Sequence, residues 1–178
     1  MSFLQKVQAS YKIVANNHDY FTAEELDSES FDGLQEDYEE VANPDHSIRT
    51  LAKASVDKCV KSLPFWDRVS LYYSDDLDDQ YLAKLRGETE SQPIIIVSPK
   101  NILTASKKYN VPVETTVETT IFHEYGHAVV ALAEVEEYDL EYTDEEEFVE
   151  EYAHGMWTGD GSSAEDKFRS FLNVFLGN

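Results

Sequence analysis

Residues 121–130 constrain this chain most, because they contain the motif H-E-x-x-H inside an apolar helical pattern. In a helix, His123 and His127 lie one turn apart on the same face. Gly126, between them, removes side-chain bulk where another element can approach closely. The pattern predicts a long helix over 111–133 that carries both histidines. The apolar residues that recur at helical spacing are Val117, Ile121, Tyr125, Ala128, Val129 and Leu132.

The two imidazoles and the glutamate beside them predict a metal site. Imidazoles at this spacing can both reach one zinc ion, which binds nitrogen ligands at about 2.0–2.1 Å. Glu124 follows the first histidine, where it can take a proton from water at the metal, and we assign it as the catalytic base. A catalytic zinc needs a third protein ligand. Because residues 128–133 contain no histidine, that ligand must come from a later segment.

The third ligand is expected on an acidic helix over 144–157. Glu146 lies at the margin of the apolar face of this helix, Glu147 points almost opposite to that face, and Glu145 points at it near the frayed start. We expect Glu146 to be the ligand, with Glu147 as the alternative and Glu145 third. Glu150, one turn after Glu146, is expected to orient a ligand histidine through its second ring nitrogen. The apolar face itself is formed by Phe148, Val149, Tyr152, Ala153 and Met156.

The remaining periodicities predict an α+β fold. We expect an N-terminal helical and acidic segment over 1–62, packed on a minimal core over 63–178 that has a small sheet, the motif helix and the glutamate helix. Other segments have their own local signals. They are helices at 2–16, after Thr22, and at 47–60; strands at 69–73 and 94–97; a short helix or loop at 80–86; a helix from Ser98 to Asn110; and a terminal helix at 168–176.

Charge and cysteine content limit the partners. The 178 residues include 36 acidic and 14 basic ones, for a formal net charge of −22. Phosphates would be repelled, so we expect neither nucleic-acid nor membrane binding, whereas a basic protein partner is compatible. Cys59 is the only cysteine, so neither an intramolecular disulfide nor a cysteine-based zinc site is expected. The sequence has no apolar run typical of a membrane span or a secretory signal, and a cytoplasmic protein is the default expectation.

The motif H-E-x-x-H followed by a glutamate-rich helix resembles the gluzincins, the group of zinc metallopeptidases that includes thermolysin. The resemblance covers about residues 66–157. The segment 146–149, with sequence E-E-F-V, is similar to the E-G-F-A segment of zinc aminopeptidases. In the thermolysin register E-x-x-x-D, Glu147 and Glu151 match instead. The resemblance implies a minimal zincin-like fold and a Zn²⁺ cofactor.

A gluzincin hydrolyses peptide bonds, so the resemblance implies a protein or peptide substrate. Glu124 would act as general base and then return the proton to the leaving amine. The strand at 94–97 is expected at the upper rim of the cleft, where an extended peptide could add as another strand. The implied zinc ligands are His123, His127 and Glu146. An oxyanion donor is also needed, and the candidates are Tyr142, Tyr152 and His154.

Two other functions are compatible with the sequence. One is a zincin-like acidic interaction protein that binds metal without turnover, with its charge acting as a decoy for a nucleic-acid-binding partner. The other is a latent proenzyme, in which the acidic N-terminal segment or the apolar tail at 168–176 covers the cleft. The intact Glu124 favours an enzyme, because a purely structural metal site has no need of this carboxylate.

Overall fold

The computed structural model describes residues 38–63, 69–86, 93–175 and 177. The helices predicted at 2–16 and after Thr22 lie outside these residues. Five helices and three strands follow one another in the described part of the chain, which confirms the α+β class. They are α1 (His46–Ser62), β1 (Ser70–Tyr73), β2 (Ala83–Arg86), β3 (Ile94–Val97), α2 (Pro99–Tyr109), α3 (Val113–Val135), α4 (Glu145–Thr158) and α5 (Ser163–Phe175).

Local signals begin and end several of the helices. The Ser98 hydroxyl accepts a hydrogen bond from the backbone in the first turn of α2, and Pro99 occupies the first helical position. The carboxylate of Asp144 caps α4 by accepting from the backbone N–H of Glu147. Gly159 ends α4 with a φ of 75°, which a residue without Cβ adopts without strain. The helices predicted at 47–60, from Ser98 and over 144–157 are thereby confirmed within one or two residues.

The sheet has three strands in the order β1-β3-β2. β1 runs parallel to β3 and places Leu71 opposite Ile95, whereas β2 runs antiparallel to β3 and places Leu85 opposite the same residue. β3 is therefore hydrogen-bonded on both sides. The prediction that this strand forms the rim of a cleft is wrong, because a strand paired on both edges has no backbone groups left for a peptide.

The prediction of a short helix or loop at 80–86 is also wrong, since β2 occupies 83–86. These four residues alternate between buried and half-buried positions, with Ala83 and Leu85 facing the helices. Lysine, leucine, alanine and arginine have good helix propensity, and four residues are too few to establish a period of two. The hydrogen bonds to β3 therefore determine that residues 83–86 form a strand.

α3 forms the centre of the molecule and packs against α1, α2, α4 and β2. Residues 115–117 and 119–133 are all buried, so the helix is enclosed on every side rather than along one stripe. The hydroxyls of Thr116, Thr119 and Thr120 donate to backbone carbonyls one turn earlier in the same stretch of chain. The hydroxyl of Tyr125 donates to the carbonyl of Leu63 at 2.6 Å and fastens α3 to the end of α1.

Candidate metal centre

The approach of α4 to α3 is controlled by Gly126, which lies between the two histidines. A Cβ atom at this position would come within 2.8 Å of a methyl carbon of Val149 and 3.1 Å of the ring of Tyr152. Only glycine fits without displacing α4, because real Cβ atoms essentially never come as close as 2.8 Å. The close packing brings the first turn of α4 over the histidines.

The first turn of α4 presents three consecutive glutamates in different directions. The Asp144 cap fixes where this turn begins. The side chain of Glu145 is 10% exposed and that of Glu146 is 26% exposed, whereas Glu147 lies at the surface. The helix therefore turns Glu145 and Glu146 towards α3 and leaves Glu147 in solvent. This separation follows from the 100° rotation per residue.

His123, His127 and Glu146 converge on one point. The Nε2 atoms of the two histidines lie 3.0 Å apart. One carboxylate oxygen of Glu146 lies 3.2 Å from Nε2 of His123, and the other lies 3.2 Å from Nε2 of His127. Both imidazoles are almost fully buried. Within the described ranges, these three residues form the one group of histidine, cysteine and acidic side chains with ligand atoms close enough to share a cation.

The three side chains fit a zinc ion in both spacing and chemistry. Two ligand atoms at about 2.0–2.1 Å from a tetrahedral zinc ion lie about 3.3 Å from each other. The observed separations of 3.0 and 3.2 Å are close to this spacing. Two imidazole nitrogens and one carboxylate are also a donor set used by catalytic zinc sites that keep a fourth position open.

The second ring nitrogen of His127 has its own carboxylate partner. Nδ1 of His127 lies 2.7 Å from Oε1 of Glu145, so the ring lies between two neighbouring glutamates of α4. A carboxylate can only accept, so Nδ1 is the donor in this hydrogen bond. Nε2 is thereby the nitrogen that faces His123 and Glu146.

The electrostatics of the cluster favour bound positive charge. Burial by itself lowers the pKa of His127, but the hydrogen bonds to Glu145 and Glu146 outweigh it and raise the pKa to about 9. Burial raises the pKa of Glu146, yet the hydrogen bonds to the two histidines hold it well below its usual range. The raised pKa of His127 favours a proton on this ring, which would bring positive charge to the cluster. A divalent cation can take its place with release of that proton.

Glu124 lies directly beside the cluster and is fully enclosed. Its side chain is buried next to both histidines, and Lys84 of β2 is near enough to act on it electrostatically. Burial raises the pKa of Glu124, the histidines and Lys84 lower it in part, and the net result is a pKa of about 8. A cation bound by the neighbouring residues would favour the carboxylate form, since an opposite charge at this distance lowers the pKa of an acid.

The other residues selected from the sequence lie in different surroundings. Glu150, which is expected to orient a ligand histidine, is half-buried on α4, and the carboxylate that contacts Nδ1 of His127 is that of Glu145. Tyr142 is 36% exposed and stacks on Phe148, and His154 is half-buried in the third turn of α4. The roles predicted for these three side chains stay predictions.

Tyr152 is buried on the opposite side of the packed helices. Its ring contacts Phe168 of α5, and its hydroxyl faces the thiol of Cys59. Tyr125, another neighbour, is two residues from each histidine and therefore points to the far side of α3. This position makes Tyr152 part of the packing between α1, α4 and α5 and does not place its hydroxyl at the cluster.

Comparisons of the chain with protein-family models, with curated proteins and with solved structures find no match. Within the described residues, no helix combines the length and the apolar character that crossing a bilayer requires.

Proposed function

We propose that this protein is a zinc-dependent peptidase of the gluzincin type, with His123, His127 and Glu146 as the zinc ligands. The observation that carries the proposal is the convergence of two Nε2 atoms and a carboxylate within 3.0–3.2 Å of one another. Enclosed beside them is Glu124, a carboxylate for which a purely structural metal site has no use.

The roles of the residues follow from their positions. When bound, zinc would acidify a water molecule and polarise the carbonyl of a peptide bond. Glu124 would accept a proton from this water and then deliver it to the leaving amine. The low pKa of Glu146 keeps this ligand ionised over the whole physiological range. The enclosure of the cluster strengthens every charge interaction within it, because water is largely excluded.

An extended substrate would lie along β2, on the edge that faces away from β3. This strand is paired with β3 along one edge, and no other described strand pairs with its second edge. β2 is also the strand that packs against α3, and Lys84 of β2 lies within electrostatic reach of Glu124. A peptide that extends the sheet here would carry its carbonyl groups towards the histidines. The zincin-like assignment of the fold is supported by the same arrangement of strand, motif helix and glutamate helix.

A protein that binds metal without turnover, either latent or acting through its charge, is the second candidate. The observation that favours it is the burial of the cluster, in which the side chains of both histidines are only 1% exposed. A substrate carbonyl needs access to the metal. If the cluster stays this enclosed in the functional form, zinc is retained but peptides are not cleaved.

Paired measurements separate the two candidates. The zinc content after dialysis is measured for the wild type and for His123→Ala, and cleavage of a peptide library is measured for the wild type and for Glu124→Gln. Glu114→Gln, at an exposed position on α3, is the matched control. A peptidase gives one zinc per chain and cleavage that is lost in Glu124→Gln alone. Zinc without any cleavage that depends on Glu124 would contradict the peptidase and favour the second candidate.

A further inference from the structure

We infer that Glu145 is a positioning residue that fixes the ring of His127 and makes it a stronger zinc ligand. The inference rests on the metal centre of the proposed function and assigns a role to a residue that does not touch the ion. Glu145 accepts a hydrogen bond from Nδ1 of His127 at 2.7 Å, and its carboxylate is 10% exposed. From the sequence alone, Glu145 is the third candidate for the third zinc ligand.

The geometry distinguishes a positioning role from a ligand role. Glu145 contacts Nδ1, whereas the atom of His127 that faces the cluster is Nε2, on the far side of the ring. A carboxylate hydrogen-bonded to Nδ1 therefore lies on the side of the imidazole away from Nε2, the atom that would bind the ion. Glu146 occupies the front and lies 3.2 Å from Nε2. Of these two consecutive glutamates, Glu146 is thus placed to act as the ligand and Glu145 to act as the positioning residue.

The hydrogen bond has two effects on the ligand. It selects the tautomer with a proton on Nδ1, which leaves the lone pair of Nε2 for the metal. The negative charge behind the ring also raises the basicity of Nε2, as the carboxylate partners of zinc-binding histidines do. Both effects need an acceptor at this position, and the charge effect needs a carboxylate.

The start of α4 makes this arrangement stable. Glu145 and Glu146 are both in the first helical turn, where the helix dipole favours negative charge. Their side chains differ in direction by about 100°, so one can reach each nitrogen of the same ring. Asp144 fixes the turn as its cap. The role of Glu145 therefore depends both on where the helix begins and on how closely α4 approaches α3, and Gly126 permits that close approach.

The test measures the dissociation constant for Zn²⁺ by chelator competition in the wild type, Glu145→Ala, Glu145→Gln and Glu147→Ala. Glu147→Ala is the matched control, because it removes a carboxylate from the same helical turn at an exposed position. We expect Glu145→Ala to weaken zinc binding by about ten- to a hundredfold, the usual range for such partners. Glu145→Gln keeps an acceptor without the charge and should fall between Glu145→Ala and the wild type. The control should stay within about threefold of the wild type.

A spectroscopic signature accompanies the affinity. In the zinc-loaded protein, the proton on Nδ1 of His127 should give a downfield NMR signal protected from exchange with water, and Glu145→Ala should lose this signal. Equal zinc affinity in Glu145→Ala and Glu147→Ala would overturn the inference. Complete loss of zinc in Glu145→Ala, with zinc retained in Glu146→Ala, would overturn it too by making Glu145 the ligand. A wild type that binds zinc but cleaves no peptide contradicts only the proposed function.

Discussion

At the start of α4, Glu146 lies among two imidazoles and two other carboxyl groups, whereas beyond the end of the same helix Glu165 lies against a guanidinium and a hydroxyl. Glu165 accepts hydrogen bonds at 2.6 Å both from Arg169, one turn later on α5, and from Ser62 of α1. Both carboxylates have a pKa below the ordinary value, despite the burial that by itself raises it.

The two regions differ in the source of the positive charge. Arg169 carries a permanent positive charge that pairs with the Glu165 carboxylate. The charge of Glu165 is therefore balanced by the protein itself. Glu146 faces imidazoles, which are neutral when they act as ligands, and the charge must come from a proton or a cation. The comparison therefore separates a buried carboxylate that stabilises the fold from one suited to hold an ion.

The largest expected effect is the loss of the third ligand. Glu146→Ala should reduce zinc binding by more than the roughly hundredfold that removal of an outer hydrogen-bond partner costs, because a ligand atom itself is lost. Zinc content after dialysis and chelator competition measure this. Glu165→Ala removes the buried carboxylate of the second region and is the matched control. This variant should bind zinc as tightly as the wild type. Equal zinc loss in both variants would break the distinction between the two regions.

A second variant tests the approach of α4 to the histidines. Gly126→Ala would place a Cβ 2.8 Å from Val149, and overpacking of this kind costs about 1–3 kcal/mol in the free energy of unfolding. Because α4 must move away, zinc affinity should fall as well. Urea unfolding of the metal-free protein and chelator competition measure the two effects.

Gly159→Ala is the control for this variant. Its φ of 75° strains any residue with a Cβ, but no other atom lies within 4 Å of the added carbon. It should lower stability by about 1 kcal/mol and leave zinc affinity unchanged. If Gly126→Ala binds zinc as tightly as the wild type, the spacing between the helices does not set the metal centre.

The smallest effect concerns the region around Glu165. Its folded-state pKa lies below the ordinary value of 4.5, chiefly through the hydrogen bonds from Arg169 and Ser62 that outweigh burial. The interaction therefore contributes fully above the unfolded-state pKa, and its contribution is lost as the pH falls through the lower folded-state value. Arg169→Met should lower the free energy of unfolding by about 1 kcal/mol at pH 7, since the guanidinium is half exposed.

Urea unfolding of the wild type and Arg169→Met between pH 7 and pH 3 measures this dependence. The difference between the two proteins should shrink as the pH falls below about 4.5. A difference that stays constant, or that grows in acid, would mean that Glu165 is not stabilised by its partners in the way the distances imply.

The parts of this fold that could be predicted are those fixed by local chemistry. The spacing of His123 and His127 defines one helix face whatever the rest of the chain does. Helical rotation alone separates Glu146 from Glu147 on α4, and the structure brings Glu146 to the histidines. Capping by Ser98 and Asp144 can likewise be predicted, because each side chain bonds to a backbone group only three residues later.

The remaining features depend on contacts between distant segments. β2 is a strand because β3 pairs with it, and its four residues carry no decisive period. Tyr152 was a candidate oxyanion donor, but its hydroxyl turns to Cys59 of α1, a contact between residues far apart in the chain. That Glu145 reaches Nδ1 of His127 depends on how closely α3 and α4 approach, and the sequence indicated only that Gly126 permits a close approach.

The most direct test of the account is X-ray absorption at the zinc edge on wild-type protein loaded with one equivalent of zinc and dialysed. We predict one retained zinc per chain, with nitrogen and oxygen neighbours at about 2.0–2.1 Å. The spectrum should also contain the outer scattering of two imidazole rings, and this scattering should be lost in the double variant His123→Ala/His127→Ala. Zinc that dialyses away, or that is bound without imidazole scattering, would contradict the claim that these side chains form a metal centre.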